Sequence, residues 1–301
     1  MPTLRKGSKV IICAFLAPAL FLYFTFFLYP AIDAFRISFY SSAGFSRKMN
    51  YVGMANFKEL LFHDSLFWSA VKNTFFIVVV DGFLIFAVAL FLAMVFSRSK
   101  IKGKEFFKTI IILPIAISEI GIGIGWTFIF NSRWGLLNST LKAIGLEQLA
   151  KPWLGSSEFA LPVISIVIFW SFIGFYTLLL LAGLQSIPPV YEEAARIDGA
   201  NKWQIFTKII FPLLKGIFVI SFLYWIIFAL KIFGIVWILT GQGLGSSTFV
   251  ISTYMYKEAF GEQVTIFRFG YGTAIAVLLF IFTIAFSVIY LRLVTREEVQ
   301  Y

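Results

Sequence analysis

The chain holds one cysteine and one histidine in 301 residues. Cys13 has no second thiol with which to form an internal disulfide. It falls inside an apolar run, so it gives no sign of redox compartment. His63 stands alone in a polar connector, which excludes a histidine-rich metal site and a Cys–His dyad. Charge is scarce as well. Only 13% of residues are Asp, Glu, Lys or Arg, against roughly 25% in ordinary soluble domains. The net charge of +10 forms no long run and no basic face, which argues against a nucleic-acid partner. No Gly-x-x-x-x-Gly-Lys-Ser/Thr and no dinucleotide fingerprint occurs, so the chain has no nucleotide-binding element of its own. A zinc motif, a nucleophile elbow and paired catalytic carboxylates are also missing. No catalytic residue, metal ligand or cofactor is therefore assigned, and the chain is not read as an enzyme.

What is abundant is apolar length. Sixty per cent of residues are hydrophobic, so the core is shared with a bilayer. A helix rising about 1.5 Å per residue crosses a hydrocarbon layer of about 30 Å in roughly 20 residues. Six runs meet that length: 10–32, 70–96, 106–130, 161–184, 211–234 and 271–291. Lipid offers backbone groups no partners, so the runs are helices. The alternating segments of about ten residues that mark a membrane barrel are not seen. The expected fold class is all-α, a polytopic membrane protein with six transmembrane helices. Residues 1–9 form a tail, 10–291 the six-helix membrane domain with a connector at 185–210, and 292–301 a second tail.

Arg5, Lys6 and Lys9 precede the first run as in a signal peptide. That run is longer than a typical signal core, and Pro30-Ala31-Ile32-Asp33-Ala34 offers no cleavage pair, so it is an uncleaved span. Basic residues are densest in the first tail, in 97–108 (Arg98, Lys100, Lys102, Lys104, Lys108), in 185–215 (Arg196, Lys202, Lys208, Lys215) and at Arg292 and Arg296. The opposite connectors are longer in total and hold fewer, among them Arg36, Arg47, Lys48, Arg133 and Arg268. The denser side is cytoplasmic, which puts both termini and the 185–210 connector inside.

Outside, residues 131–157 carry apolar residues at roughly helical spacing. They suggest a short interfacial helix anchored by Trp134 and Trp153. Asn138-Ser139-Thr140 matches a glycosylation sequon, a short pattern of little weight by itself. Gly121, Gly123 and Gly125 lie within the third run, where close helix packing explains them better than phosphate binding.

The 185–210 connector is built for docking. Pro188-Pro189 ends the fourth run and can open a short helix. Glu192 and Glu193 suit its first turn, where negative charge meets the helix dipole. Ala194 and Ala195 present almost no side chain, so a partner surface can come close. Asp198 and Gly199 follow, the glycine permitting a left-handed turn. Ala200-Asn201-Lys202-Trp203 restarts a helix, and Pro212 sits near the start of the fifth run.

This pattern resembles the signature of membrane-spanning permease subunits of bacterial ABC importers: Glu-Ala-Ala, three residues, Gly, nine residues, Ile, one residue, Leu-Pro. Glu193, Ala194, Ala195, Gly199, Ile209 and Pro212 match it, with Phe211 in place of Leu. The likeness extends over nearly the whole chain. It is narrower than the superfamily, pointing to the carbohydrate-uptake branch related to maltose and glycerol-3-phosphate permeases. Matching stretches include Gly53-Met54-Ala55-Asn56-Phe57, Trp134-Gly135-Leu136-Leu137-Asn138, Ala182-Gly183-Leu184-Gln185-Ser186-Ile187-Pro188, 236–243 and Ser252-Thr253-Tyr254-Met255-Tyr256. The resemblance implies a type I importer fold in the bacterial cytoplasmic membrane and a second homologous permease subunit. It also implies two ATP-binding subunits that hold ATP and Mg, an extracytoplasmic solute-binding protein and a sugar substrate. It further implies an acidic residue three positions after Lys231, where Gly234 stands here.

A charged residue at membrane depth is costly and faces protein or water. Asp81, Glu119 and Lys231 are such residues, although Lys231 can also snorkel to the interface. Asp81 and Glu119 can instead pair with a partner subunit or bond to backbone. Sugars are held by aromatic faces and polar groups. Glu119, Trp170, Tyr176, Lys231, Phe233 and Trp237 are the candidates for a substrate path, and Phe175 is a further ring. An ion-coupled secondary transporter is the alternative. It would need an inverted repeat, and none is convincing.

Overall fold

The computed structural model describes residues 6–42, 49–98, 102–240, 247–261 and 267–294. Arg5, Arg47, Lys48, Lys100, Arg296 and residues 241–243 of the sequence reading lie outside the described residues. Two compact units divide the chain, one from Met1–Asp64 with Met255–Leu278, the other from Ser65–Tyr254 with Leu279–Tyr301.

In the first unit, the first span Ile11–Ile37 buries none of its apolar window within the chain. It runs through a π-turn at Phe24–Leu28 and leads into the antiparallel pair Tyr40–Ser42 and Met49–Tyr51, with Tyr40 opposite Tyr51. The short helix Ala55–Phe62 follows. Its Asn56 amide donates to the carbonyls of Ser38 (2.8 Å) and Tyr40 (3.0 Å), fixing the strand to the helix. Arg268 gathers this unit. Its guanidinium donates to Glu59 at 2.6 Å, lies 3.7 Å from Glu258 and covers the Tyr271 ring at 3.7 Å. Tyr271 in turn donates to Asp64 at 2.5 Å. Burial pushes the Glu258 carboxyl above its ordinary range, with Arg268 opposing the shift.

The second unit holds most of the bundle. Its helices are the second span Ser65–Ser97, the fourth Ala160–Gln185, the fifth Lys202–Leu230 and the latter part of the sixth, Phe269–Val294. The third run is not one straight helix. It is a pair, Lys104–Ala116 and Glu119–Phe130, bent by 103°. Pro114 lies in a 3-10 turn, Leu113–Ala116, and Ile117 is extended with ψ 137. Ser118 then caps the second limb, its Oγ accepting from Gly121 N at 3.2 Å. A proline that interrupts the ladder and a serine that restarts it account for the bend.

The fifth run also differs from the sequence expectation. Its helix begins at Lys202 rather than 211, because Asn201 and Gln204 form a capping box. A π-turn at Phe206–Ile210 precedes Pro212, and the wider turn gives the ring room that a regular turn would deny. The helix stops at Leu230, and a short helix Gly234–Thr240 follows.

Small residues set the spacing. A Cβ at Gly174 of the fourth span would lie 2.0 Å from the Ile111 carbonyl oxygen, so two backbones meet there. Gly123 packs likewise on Ile238, whereas nothing lies within 4 Å of a Cβ at Gly125. Packing thus explains Gly123 and leaves Gly125 without a structural reason. Gly82 admits the Trp225 ring. That indole, fully buried, donates to the Val78 carbonyl at 2.9 Å within the π-turn Ile77–Asp81.

Gly174→Ala is therefore expected to destabilise the purified chain by about 1–3 kcal/mol, the usual cost of overpacking. Gly125→Ala leaves stability unchanged or slightly raised. Thermal unfolding in detergent checks the contrast, and equal melting of the two variants contradicts it.

Candidate functional site

Between the fourth and fifth spans the chain builds a compact helix–turn–helix. Helix Val190–Ile197 begins after Pro189 with Glu192 and Glu193 in its first turn. Its end is closed by two crossed bonds, Gly199 N to the Arg196 carbonyl (3.1 Å) and Ala200 N to the Ala195 carbonyl (2.9 Å). These are the two bonds of a Schellman motif, which needs a left-handed residue where Gly199 has φ +79. One residue later the next helix is already capped. Gln204 N donates to Asn201 Oδ1 (2.9 Å), and Asn201 N donates to Gln204 Oε1 (2.8 Å). Two helix ends that would otherwise leave orphan groups are joined with almost no slack.

The helix turns two faces in opposite directions. Glu192 (7% exposed) and Ala195 (8%) point inward, three residues apart. Glu192 lies 3.8 Å from Arg196. A polar pocket of ≈ 320 Å³ beneath them reaches Ser97 of the second span and Gln185 of the fourth. Glu193, Ala194, Asp198 and Gly199 are exposed. The two alanines therefore do not share a role. Adjacent helical residues are about 100° apart, so Ala194 is open to a partner while Ala195 packs on the bundle. Nothing within the chain lies within 4 Å of a Cβ built at Gly199. The glycine is required by its backbone angle. Ile209 is half-buried in the π-turn, and Pro212 is exposed.

Sequence reasoning missed the apolar stripe on the outer face. Val190, Ala194 and Ile197 follow one another at i, i+4 and i+7, and Ile197 is 86% exposed. Tyr191 and Trp203 flank the stripe and are also exposed. The spacing itself was the available signal, an apolar helix face in a polar connector.

A second site lies where the fifth span ends. Lys231 is its C-cap residue, and a cation suits the negative end of the helix. Glu119, Lys231, Phe233 and Trp237 line one pocket of ≈ 520 Å³. The rings of Phe233 and Trp237 stack at 5.5 Å, 17° apart. Glu119 opens the second limb of the broken third span, and its carboxyl occupies the space beside Gly234. The space for a side chain at 234 is thus filled from another helix.

The other candidates lie elsewhere. Tyr176 is fully buried against Phe86 (4.7 Å) and Trp225 (5.9 Å). Trp170 packs edge-on to Trp126 at 5.4 Å, and Phe175 lies on Tyr224. None of the three lines the Lys231 pocket. Asp81 is 1% exposed, so a partner chain could not reach it, contrary to the pairing considered from sequence. The connector 131–157 contains helix Leu136–Ala143, as its spacing suggested. The Asn138 side chain is buried there, donates to the carbonyls of Ser132 and Lys151, and accepts from Trp153 Nε1 at 2.7 Å. That amide is closed to glycosylation, and Trp153 is a loop-packing residue. Only Trp134, exposed, remains available as an interfacial anchor.

An apolar bundle with an exposed, doubly capped turn between two of its spans defines a membrane component that works with another protein. The chain belongs to the family described as binding-protein-dependent transport system inner membrane component, matched over residues 85–299. It is 34% identical to a probable ABC transporter permease protein of Pyrococcus horikoshii over 289 residues, covering 95% of this chain and 96% of that one. It is 31% identical to the trehalose/maltose transport system permease protein MalF of Thermococcus litoralis over 278 residues, covering 91% and 90%. Its fold matches a chain of a bacterial ABC transporter involved in the import of the acidic polysaccharide alginate. There the TM-score is 0.84 at 24% identity, with 97% and 98% covered. Family membership decides against the ion-coupled alternative.

Gly199→Ala is expected to loosen residues 190–201 by about 1–2 kcal/mol, the cost of a left-handed angle for an L side chain. Hydrogen exchange of the Val190–Ile197 amides should quicken roughly five- to thirtyfold, while Gly199→Asn, which tolerates that angle better, moves it less. Unchanged exchange in Gly199→Ala contradicts the assignment.

Proposed function

We propose that the chain is one of two homologous permease subunits of an ATP-driven importer for a sugar or oligosaccharide in the bacterial cytoplasmic membrane. The name of the Thermococcus relative and the ring-lined pocket support the sugar. Basic residues densest on one side support an orientation with both termini and the 185–210 connector in the cytoplasm. ATP and Mg are bound by two partner ATPase subunits, and this chain binds neither. An extracytoplasmic solute-binding protein delivers the sugar. Domain limits follow the same scheme: tails 1–9 and 292–301 around a membrane domain of 10–291.

The observation that carries this reading is the capped turn at 197–204. It presents an apolar stripe outward and continues into the fifth span without a flexible link. Glu193, Ala194, Asp198 and Gly199 form the contact with an ATPase subunit. Ala195 seats the helix on the bundle, and Ile209 and Pro212 carry motion into the span. Closure of the ATPases on ATP moves the turn, and the spans follow as near-rigid bodies between inward- and outward-open states. The sugar passes Glu119, Lys231, Phe233 and Trp237. Trp170 and Tyr176 support that path through packing.

Purification of the tagged chain from its native membrane should bring down an ATPase subunit. Gly199→Asp should leave membrane insertion intact and lower uptake at least about tenfold, about 1.4 kcal/mol of lost coupling. Absence of any ATPase from the purified complex, or normal uptake by the variant, would overturn the assignment.

A further inference from the structure

The helix Val190–Ile197 is turned inside out. Its apolar residues Val190 and Ile197 face outward, 60% and 86% exposed, and the residues it buries are Glu192 and Ala195. A surface helix ordinarily does the reverse, with its apolar stripe inward and its charges outward. Ala195 brings one methyl group to the bundle, so the Glu192 carboxylate is the larger part of the seat. A buried charge is costly where an apolar side chain could pack, and it persists where polar groups answer it. The ≈ 320 Å³ pocket beneath the helix supplies such groups. Its wall includes Ser97, the last residue of the second span, and Gln185, the last of the fourth. A carboxylate only accepts hydrogen bonds, whereas a hydroxyl and a side-chain amide can donate them. Arg196, 3.8 Å from Glu192, has a side chain 66% exposed, and an ion pair so open to water contributes little.

The fourth span is joined to this helix by the short segment Ser186-Ile187-Pro188-Pro189. The second span lies far from it in sequence and meets it at the pocket. We propose that Glu192 is a positioning residue: its buried carboxylate ties the docking helix to the end of the second span, so that movement imposed on the helix passes to that span as well as to the fifth. The inference rests on the reading that an ATPase subunit drives this helix. It adds a second route of transmission and the residue that carries it. Glu193, one position on, is exposed and belongs to the proposed docking contact, so the two adjacent acids divide two tasks.

The test uses the complete importer, with its partner permease, ATPases and binding protein, in proteoliposomes. Spin labels at Phe91→Cys on the second span and Lys202→Cys just past the docking turn, in a Cys13→Ser background, report the distance between them, nucleotide-free and trapped with ATP. Phe91 and Lys202 are both exposed. With Glu192 in place, one distance distribution is expected in both states, because span and helix move together. Glu192→Ala should make the distance shift and broaden on ATP trapping, and Ser97→Ala should act in the same direction. The double variant should shift no further than Glu192→Ala, since the two changes remove one link. Arg196→Gln should behave as the unaltered chain. ATPase capture and hydrogen exchange of the Val190–Ile197 amides should be unchanged in Glu192→Ala, because the two caps hold the helix itself. The proposal is overturned by a nucleotide-independent distance in Glu192→Ala, by additive shifts in the double variant, or by an equal shift in Arg196→Gln. Quickened exchange with lost capture in Glu192→Ala would also overturn it, by reducing Glu192 to a residue that merely holds the helix together. The two levels separate cleanly. If the unaltered chain brings down no ATPase, the importer reading fails. If it does, and Glu192→Ala keeps one distance in both states, only the second route fails.

Discussion

Inside a bilayer a backbone N–H or carbonyl has no water to turn to, and each departure from a regular helix must be answered by a named group. This bundle departs in several places, and in the second unit a side chain answers several of them. The π-turn at Ile77–Asp81 exposes the Val78 carbonyl, which takes the Trp225 indole N–H. The break in the third span exposes amides, one of which the Ser118 hydroxyl accepts. Where the fifth span stops, the Ser252 hydroxyl donates to the Ile232 carbonyl. Residues 247–251 have Asn73 donating to two of their carbonyls and Thr74 accepting from Ile251 N. The polar side chains that answer these groups are therefore part of the backbone accounting.

The same accounting applies to the polar connector, the lever of the proposed mechanism. A loop of its length with unsatisfied ends would yield under load. Here the end of one helix is closed by Gly199 and Ala200, and the start of the next by Asn201 and Gln204. No unpaired residue separates the two caps. The second helix then runs as one body from Lys202 to Leu230. Between Ile197 and the span lie only the two adjoining caps, and Lys231 stands at that span's far end. The proposed docking helix is thus joined through one doubly capped turn to the helix that ends at Lys231.

Much of this was legible in the sequence, for physical reasons that differ by element. The spans declared themselves by apolar length, and the docking helix by prolines, acids and a glycine at fixed offsets. The true start of the fifth span was written in Asn201 and Gln204, yet Pro212 drew attention because proline favours first turns. A π-turn, which sequence does not announce, let it sit well inside. The bend in the third span had its cues in Pro114 and Ser118, but an uninterrupted apolar run hid them. Of the path candidates, the charged pair and the 233/237 rings converge because helix ends fix them. Trp170 and Tyr176 do not, because aromatic residues make up 19% of this chain and most of its rings pack. That the Glu119 side chain fills the space beside Gly234 is a relation between two spans that no local pattern encodes.

The central claim is that residues 190–230 move as one rigid body. Spin labels at Ile197→Cys and Gly216→Cys, in a Cys13→Ser background, measure it by pulsed dipolar spectroscopy on the assembled importer, nucleotide-free and trapped with ATP. The account predicts one narrow distance distribution, the same in the two states. A distribution that broadens or shifts on ATP binding would show that the turn flexes, and would contradict it.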